Sequence, residues 1–222
     1  MRSIGELKLP LDHPEPALRQ AILKRLALAD ENLVAFTVFK RAYDARKTSA
    51  IQLIYTIDAD VKDEASVLKR LEKDKQIGRT PDTSYTQVAK APPNTRRPVV
   101  VGMGPCGLFA GLILAEMGFN PIILERGKIV RERTVDTFKF WRKAVLDSSS
   151  NAQFGEGGAG TFSDGKLYSQ IKDPRHLGRK VLTEFVEAGA PEEILYVSKP
   201  HIGTFRLVSM IEHMREKKIG RA

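Results

Sequence analysis

The chain has 222 residues, which is long enough for one large or two small domains with a real hydrophobic core. Apolar residues make up 42% and charged residues 28%, ordinary globular values that exclude wholesale disorder. The net charge of +9 suits an anionic partner such as a nucleotide or RNA, although a solvated basic surface is the preferred explanation.

Residues 1–75 predict a small α+β domain of order βαββα. The stretch "GELKLPL" alternates as a strand does, and "EPALRQAILKRLAL" has apolar residues at helical spacing. Two β-rich runs follow within 31–61, and "DEASVLKRLEK" has the acids-first, bases-last order of a short helix. Basic residues between the β-rich runs could meet RNA, but no aromatic stacking motif accompanies them, which favours a charged hairpin surface: Lys40, Arg41, Arg46 and Lys47.

Residues 76–97 have few large apolar residues and several Pro, Thr and Lys, so they predict a linker or an extended connection. The third region, 98–222, starts at "PVVVGMGPCGLFAGLILAEMGFNPIILERG". Here a β-branched run typical of a buried parallel strand leads into G-x-G-x-x-G and then into a helical run. A second strand then ends at Glu125, about 20 residues after the glycines.

Each residue of this fingerprint has a mechanical reason. Gly102 allows the tight strand-to-helix turn, Gly104 lets the backbone approach a pyrophosphate, and Gly107 lets the helix pack closely. The helix N-terminus favours a diphosphate, and Glu125 can accept hydrogen bonds from the ribose hydroxyls. An acid at this position argues against a 2′-phosphate, hence against NADP, but the motif leaves NAD and FAD open.

The segment "ILERG" resembles the second-strand ending of the glutathione-reductase-type flavoproteins. Further blocks, "ERGKIVRERTVDTFKFW", "SSNAQFGEGGAGTFSDGKLYSQIKDP" and "KPHIGTFRLVSMIEHMRE", resemble a bacterial family of FAD-dependent dehydrogenases or oxidoreductases of unspecified substrate. The similarity covers residues 98 to about 218, and "FKRAYDARK" resembles that family's leading domain. It implies an α/β fold, in which an incomplete Rossmann-like FAD/NAD(P)-binding domain follows the small α+β domain along the chain.

The resemblance also implies that the glycine-rich segment after the first βαβ unit lies along FAD. Its backbone would approach the cofactor, with hydroxyls as hydrogen-bonding groups and Lys166 near a phosphate or the reduced flavin. The predicted cofactor-binding residues are Gly102, Gly104, Pro105, Cys106, Gly107, Glu125, Arg126, Gly157, Gly158, Ala159, Gly160, Thr161, Ser163 and Lys166.

No catalytic residue is assigned. Cys106 lies at a helix N-terminus but has no partner cysteine, so a structural role is favoured over a redox one. His201 is a candidate proton donor, and Asp164 and Tyr168 are candidates for substrate contact by position alone. No pair of histidines has metal-ligand spacing, so no metal is expected. Among the arginines of "RGKIVRERTVD", phosphate contact and a solvated helix start both remain open.

The longest apolar stretch, "GLFAGLILAEMGF", is too short for a membrane span and is interrupted by Glu116. With no signal-peptide pattern, a cytoplasmic protein without a membrane partner is expected. The ending "MREKKIGRA" departs from the family pattern, and Phe205 replaces its more usual acid, so a truncated copy with an incomplete active site is expected.

The sequence therefore predicts an FAD-binding oxidoreductase of unknown substrate, with NAD(P)H or a small molecule as its further partner. Two alternatives stay open. One is a non-enzymatic RNA- or protein-binding module that carries a relic nucleotide domain. The other is an NAD-binding Rossmann protein.

Overall fold

A four-stranded antiparallel sheet and a two-stranded parallel sheet organise the chain, in a computed structural model that describes residues 2–169 and 171–219. The mixed α/β class expected from the sequence is confirmed at this level. One unit runs to Asp82 and includes Leu195–Pro200, and the other comprises Thr83–Ile194 and the residues from His201 onward. The last three residues of the predicted third region lie outside the described residues.

The first unit contains the antiparallel sheet and two helices. Its elements are β1 (Arg2–Pro10), α1 (Pro16–Leu26), β2 (Leu33–Asp44), β3 (Gln52–Val61), α2 (Glu64–Arg70) and β4 (Ile77–Arg79). The spatial order is β2-β3-β1-β4. The predicted order of strand, helix, two strands and helix is present, and β4 follows it within residues 76–97, the stretch predicted as a linker or extended connection.

Hydrophobic periodicity explains the core of the first unit. Helix α1 buries Ile22 and Leu26, which lie four residues apart on one helix face. Strand β3 buries Leu53, Tyr55 and Ile57 in strict alternation, as a half-buried strand requires. The sheet therefore packs one face against helix α1.

The hairpin between β2 and β3 carries an ion pair of bidentate geometry. Arg46 Nε lies 2.8 Å from Asp44 Oδ1, and Arg46 Nη2 lies 2.5 Å from Asp44 Oδ2. The hydrogen bonds from the Arg46 side chain, joined by its backbone N–H, lower the pKa of Asp44 from its ordinary 3.8 to about 2.

We expect an NMR titration to give Asp44 a pKa of about 2 in the native chain and a higher pKa in Arg46→Gln, which loses the guanidinium but keeps the backbone N–H and the Lys8 charge. Because folding lowers this pKa, the pair stabilises the fold above pH 3.8, and its contribution is lost as the pH falls through about 2. An Asp44 pKa that is the same in both proteins would contradict the pairing.

The second unit contains the parallel strands and four helices. Its elements are β5 (Val99–Val101), α3 (Pro105–Glu116), β6 (Ile122–Leu124), α4 (Val130–Lys143), a 3₁₀ turn (Ala159–Phe162), α5 (Leu177–Glu187) and α6 (Thr204–His213), which continues as a π-helical segment (Met214–Ile219). Strands β5 and β6 pair in parallel through the crossover helix α3. A buried core joins α3, α4 and α6 and includes Leu108, Leu112, Val130, Leu207, Met210 and Ile211.

The parallel pairing of β5 is as the sequence predicts, but the burial is not. Val99 is 55% exposed and Val101 is 84% exposed. Within the part of the chain that the structure describes, β5 and β6 pair only with each other, so alternate side chains of β5 face outward from a two-stranded sheet.

Residues 2–169 and 171–219 contain no helix long and apolar enough to cross a membrane.

Candidate functional site

The turn between β5 and α3 is built from glycine for two different reasons. Gly102 has a φ of +92°, a backbone angle that residues with a side chain rarely adopt. A Cβ on Gly107 would overlap the carbonyl oxygen of Gly102, so the helix packs directly on the turn. A Cβ on Gly104, in contrast, would have Gly158 Cα as its nearest neighbour, at 3.9 Å. The fold therefore requires Gly102 and Gly107, whereas it tolerates a methyl group at Gly104, which would make only an ordinary van der Waals contact.

Helix α3 begins directly after Gly104. Gly104 is the N-cap and Pro105 is the first helical residue. The first helical hydrogen bond at this end joins Leu108 N–H to Gly104 O at 2.9 Å, so the N–H groups of Cys106 and Gly107 precede it. Such groups carry the positive end of the helix dipole and attract an anion. The exposed Cys106 places its thiol beside this end.

Glu125, at the end of β6, holds the glycine turn in place. Its Oε2 accepts the Met103 N–H at 2.7 Å, and its Oε1 accepts the Gly127 N–H at 2.8 Å. Each carboxylate oxygen has a further lone pair, so the side chain can accept other hydrogen bonds as well. The predicted ribose ligand is thus also a structural link between the two parallel strands' ends.

We expect Glu125→Ala to lower the free energy of unfolding by about 1–3 kcal/mol, because the two N–H groups lose a charged acceptor in a half-buried site. Urea unfolding followed by circular dichroism measures this loss. The matched control is Glu193→Ala, which removes an exposed glutamate of the 3₁₀ turn Glu192–Leu195 and should change stability by less than about 0.5 kcal/mol. Equal stabilities of the two variants would refute the structural role of Glu125.

The second glycine cluster lies against the first. Gly157 N–H donates to the Met103 carbonyl at 2.8 Å. A Cβ on Gly158 would lie 2.9 Å from Pro105 Cδ and 3.2 Å from Gly104 Cα, and Gly158 has a φ of +67°. The two glycine-rich segments predicted as cofactor-binding, about fifty residues apart in sequence, are thus brought into contact.

A fully buried arginine on α4 clamps the glycine-rich segment from behind. Arg133 donates to three carbonyl oxygens: Asn151 O at 2.7 Å, Glu156 O at 2.6 Å and Ala152 O at 2.9 Å. Its guanidinium also lies 4.8 Å from the centroid of the Phe162 ring. Burial lowers the pKa of Arg133, and the charges of Glu125 and Glu156 oppose that shift.

The buried carboxylate of Glu156 connects the same segment to two helices. Its Oε2 accepts the Val130 N–H of the first turn of α4 at 2.6 Å. Arg215 Nη1, in the π-helical segment, lies 2.7 Å from both carboxylate oxygens. A carboxylate at a helix N-terminus with an arginine partner is well matched in charge, so Glu156 fixes the segment at its centre.

Among the predicted cofactor-binding residues, Thr161 has a buried side chain with an unpaired polar atom. It is 2% exposed, and its Oγ1 has no hydrogen-bond partner among residues 2–169 and 171–219. Buried hydroxyls normally have a partner, so this oxygen retains an unused hydrogen-bonding capacity. Ala159 and Gly160 precede it in the 3₁₀ turn and are exposed.

The remaining predicted residues make local contacts. Ser163 Oγ donates to Gly160 O at 2.6 Å and accepts from Gly165 N at 3.1 Å. Lys166 Nζ lies 2.9 Å from Asp164, whose pKa is lowered by that hydrogen bond. Arg126 lies over the Phe154 ring, 4.7 Å from its centroid. The contacts described for Ser163, Lys166 and Arg126 are therefore with other residues than those of the glycine turn.

His201 lies beside the Asp164–Lys166 pair. Its Nε2 is 4.0 Å from Asp164 Oδ1, and its backbone forms a bridge with Lys166. Tyr168 is exposed a short distance along the chain. Among the described residues, no group of three or more His, Cys, Asp or Glu side chains is placed to hold a metal ion.

The arginines of α4 correct the suggestion that this stretch is simply a solvated helix start. Arg131 is exposed and pairs with Glu212, but Arg133 is completely buried. The sequence pattern leaves the role of Arg133 open and does not single out Glu156. The available signal was spacing: Val130, Arg133 and Thr137 fall on one helical face, and all three are buried.

Two comparisons relate the chain to other proteins. Residues 1–60 match a domain of unknown function, DUF8436. An uncharacterised protein of Clostridium beijerinckii is 41% identical over 220 residues. The match covers 98% of this chain and 41% of that relative, so the chain spans less than half of the relative's length.

Proposed function

We propose that the second unit binds FAD and belongs to an FAD-dependent oxidoreductase. The observation that carries the proposal is the contact between the two glycine clusters at the N-terminus of α3. This contact lies in a parallel βαβ unit whose second strand ends at Glu125, and Glu125 is bound to the same turn. This is the arrangement that a Rossmann-like dinucleotide site needs. Cytoplasmic location and use of NAD(P)H or a small molecule as electron partner are part of the same proposal.

The adenosine diphosphate half fits the residues around the turn. The absence of a side chain on Gly104 would allow a diphosphate to approach the backbone, and the N–H groups of Cys106 and Gly107 would receive it. Pro105 presets the helix start, and Glu125 would accept the ribose hydroxyls through its remaining lone pairs. Gly102 supports this surface without touching the ligand, and Gly107 would contribute only its backbone N–H.

The flavin half fits the second glycine cluster. Gly158 presents backbone beside the turn, and the unpartnered Thr161 hydroxyl would bind a polar atom of the cofactor. Gly157 is buried against Thr161 and Ile211, and its N–H donates to Met103 O, so it supports the segment. A Cβ on Gly160 would meet no atom within 4 Å, so its exposed backbone offers a further close approach. These residues would hold the cofactor, and Arg133 and Glu156 would keep them in position.

A bound flavin supplies the hydride- or electron-transfer chemistry, and the chain supplies its position and electrostatic surroundings. The α3 N-terminus would balance the diphosphate charge, and the buried Arg133 places a fixed positive charge behind the glycine-rich segment. The exposed Asp164 and His201 would face a substrate.

Isothermal titration with FAD, ADP, NAD⁺ and NADP⁺ tests the proposal. We expect FAD to bind most tightly, ADP more weakly because it lacks the part that meets Gly157–Thr161, and NADP⁺ least well because Glu125 repels a 2′-phosphate. Tight binding of NAD⁺ without binding of FAD would replace the proposal with the NAD-binding alternative. Binding of none of the four would refute a dinucleotide site.

A further inference from the structure

A groove outside the proposed cofactor site lies at the hairpin end of the antiparallel sheet. It has a volume of about 620 Å³, within the usual range for small-ligand sites. Strand β1, strand β3 and the β2–β3 hairpin contribute its lining: Lys8, Asp44, Arg46, Lys47, Ala50 and Gln52. Every one of these residues belongs to the first unit.

The register of the sheet gathers cations on this side. Lys8 pairs with Ile54, which pairs with Ala42, so these three residues share one sheet face. Lys40 and Asp44 share that face with Ala42 because they lie two residues before and after it on β2 without a break in register. The groove thus runs beside a face that carries lysines from two strands.

The basic group noted in the sequence is thereby divided. Arg41 is not part of the groove, because its guanidinium lies over the Tyr196 ring, 5.3 Å from the centroid. Lys8, distant in sequence from the hairpin, joins Arg46 and Lys47 instead. The folded chain therefore creates a cationic site that the linear sequence does not show.

Two carboxylates oppose these cations. Asp44 binds Arg46 through Nε and Nη2, and the field of Lys8 also helps to lower the pKa of Asp44. Glu6 acts on Arg46 from β1. Since Nη1 is a further donor of the guanidinium, Arg46 can accept a second anion while it keeps Asp44. Gln52 adds a neutral amide donor to the same lining.

We propose that this groove binds the phosphate group of an anionic ligand, with Lys8, Arg46 and Lys47 as its cationic contacts. A compact, multiply charged anion fits a groove lined by three cations and an amide better than a single carboxylate does. The same chemistry is present in the diphosphate of a free nucleotide and in the backbone of single-stranded RNA. This site is independent of FAD binding by the second unit.

The test follows inorganic pyrophosphate binding to the full chain by NMR, using the amide signals of Ala50 and the side-chain amide of Gln52. We expect saturable shifts at these groups. Removing both lysines in Lys8→Ala/Lys47→Ala should weaken binding about tenfold, and Asp44→Asn should strengthen it about fivefold because it removes an opposing charge.

The matched control is Lys24→Ala/Lys69→Ala, which removes two exposed lysines from α1 and α2 with the same change in net charge. Its pyrophosphate affinity should stay within about twofold of the native value. Equal weakening by both double variants would overturn the proposal, because it would indicate only the general positive field. Absence of shifts at Ala50 and Gln52 would overturn it as well.

Residue-resolved signals separate this site from the proposed cofactor site. Shifts at Gly104 and Gly107 that are unaffected by Lys8→Ala/Lys47→Ala would report pyrophosphate bound at the N-terminus of α3. If they are the only shifts, they overturn the proposed site at Lys8 and Lys47. A fluorescent ten-nucleotide RNA identifies the source. If Lys8→Ala/Lys47→Ala lowers the RNA affinity and makes its salt dependence shallower, the ligand is a polynucleotide backbone. If the chain binds pyrophosphate but not the RNA, the ligand is a free nucleotide.

Discussion

Replacing Arg133 with methionine should lower the free energy of unfolding by about 3–5 kcal/mol, the largest loss we expect from any single substitution in the second unit. The change leaves the carbonyl oxygens of Asn151, Ala152 and Glu156 without their donor in a buried site. It also removes the cation from the Phe162 ring. Urea unfolding followed by circular dichroism measures the loss.

Arg133→Lys distinguishes charge from geometry. A lysine keeps the positive charge, but its single ammonium cannot reproduce the planar fork that reaches three carbonyls, so we expect most of the loss to remain. Arg131→Met is the matched control on the same helix, since Arg131 is exposed and pairs with Glu212. It should cost less than about 1 kcal/mol. Similar losses at 131 and 133 would contradict the clamp.

Gly104→Ala should reduce FAD affinity by at least about a hundredfold, close to 3 kcal/mol, while leaving the unfolding midpoint almost unchanged. The new methyl group would meet Gly158 Cα at 3.9 Å, an ordinary contact, so the fold tolerates it. The same methyl group would occupy the space through which a diphosphate approaches the turn. Titration calorimetry and thermal unfolding measure the two effects separately.

Two other glycines bracket this result. Gly107→Ala should destabilise the fold strongly, because its Cβ would overlap the Gly102 carbonyl oxygen. Gly78→Ala, on β4, meets no atom within 4 Å and should change neither stability nor affinity appreciably. Gly104→Ala with native FAD affinity would place the cofactor elsewhere, and Gly104→Ala that fails to fold would contradict the tolerance for a methyl group at this position.

The local βαβ unit follows from the sequence because its signals are local. A β-branched run, three spaced glycines and a second apolar run ending at Glu125 each act within a few residues of themselves. Burial does not follow in the same way. The β-branched run predicts that Val101 is buried, but Val101 is exposed. Its burial depends on which strands and helices surround β5, and those lie outside the local pattern.

The supporting network could not be predicted from local patterns. Arg133 and Glu156 bind groups about twenty residues away, and Arg215 binds Glu156 from a far more distant helix. A charged residue in sequence ordinarily indicates a solvated surface, so only the fold identifies a buried one. Strand β4 is missed for a related reason, since Ile77–Arg79 is three residues long and shows no alternation.

The visible absorption spectrum of the folded 222-residue chain, reconstituted with FAD and freed of unbound cofactor by gel filtration, tests the central claim most directly. We expect the flavin bands to elute with the protein and to bleach with dithionite. In Gly104→Ala, the protein should elute folded and colourless. A native chain that remains folded but carries no flavin after reconstitution would contradict FAD binding by the two glycine clusters.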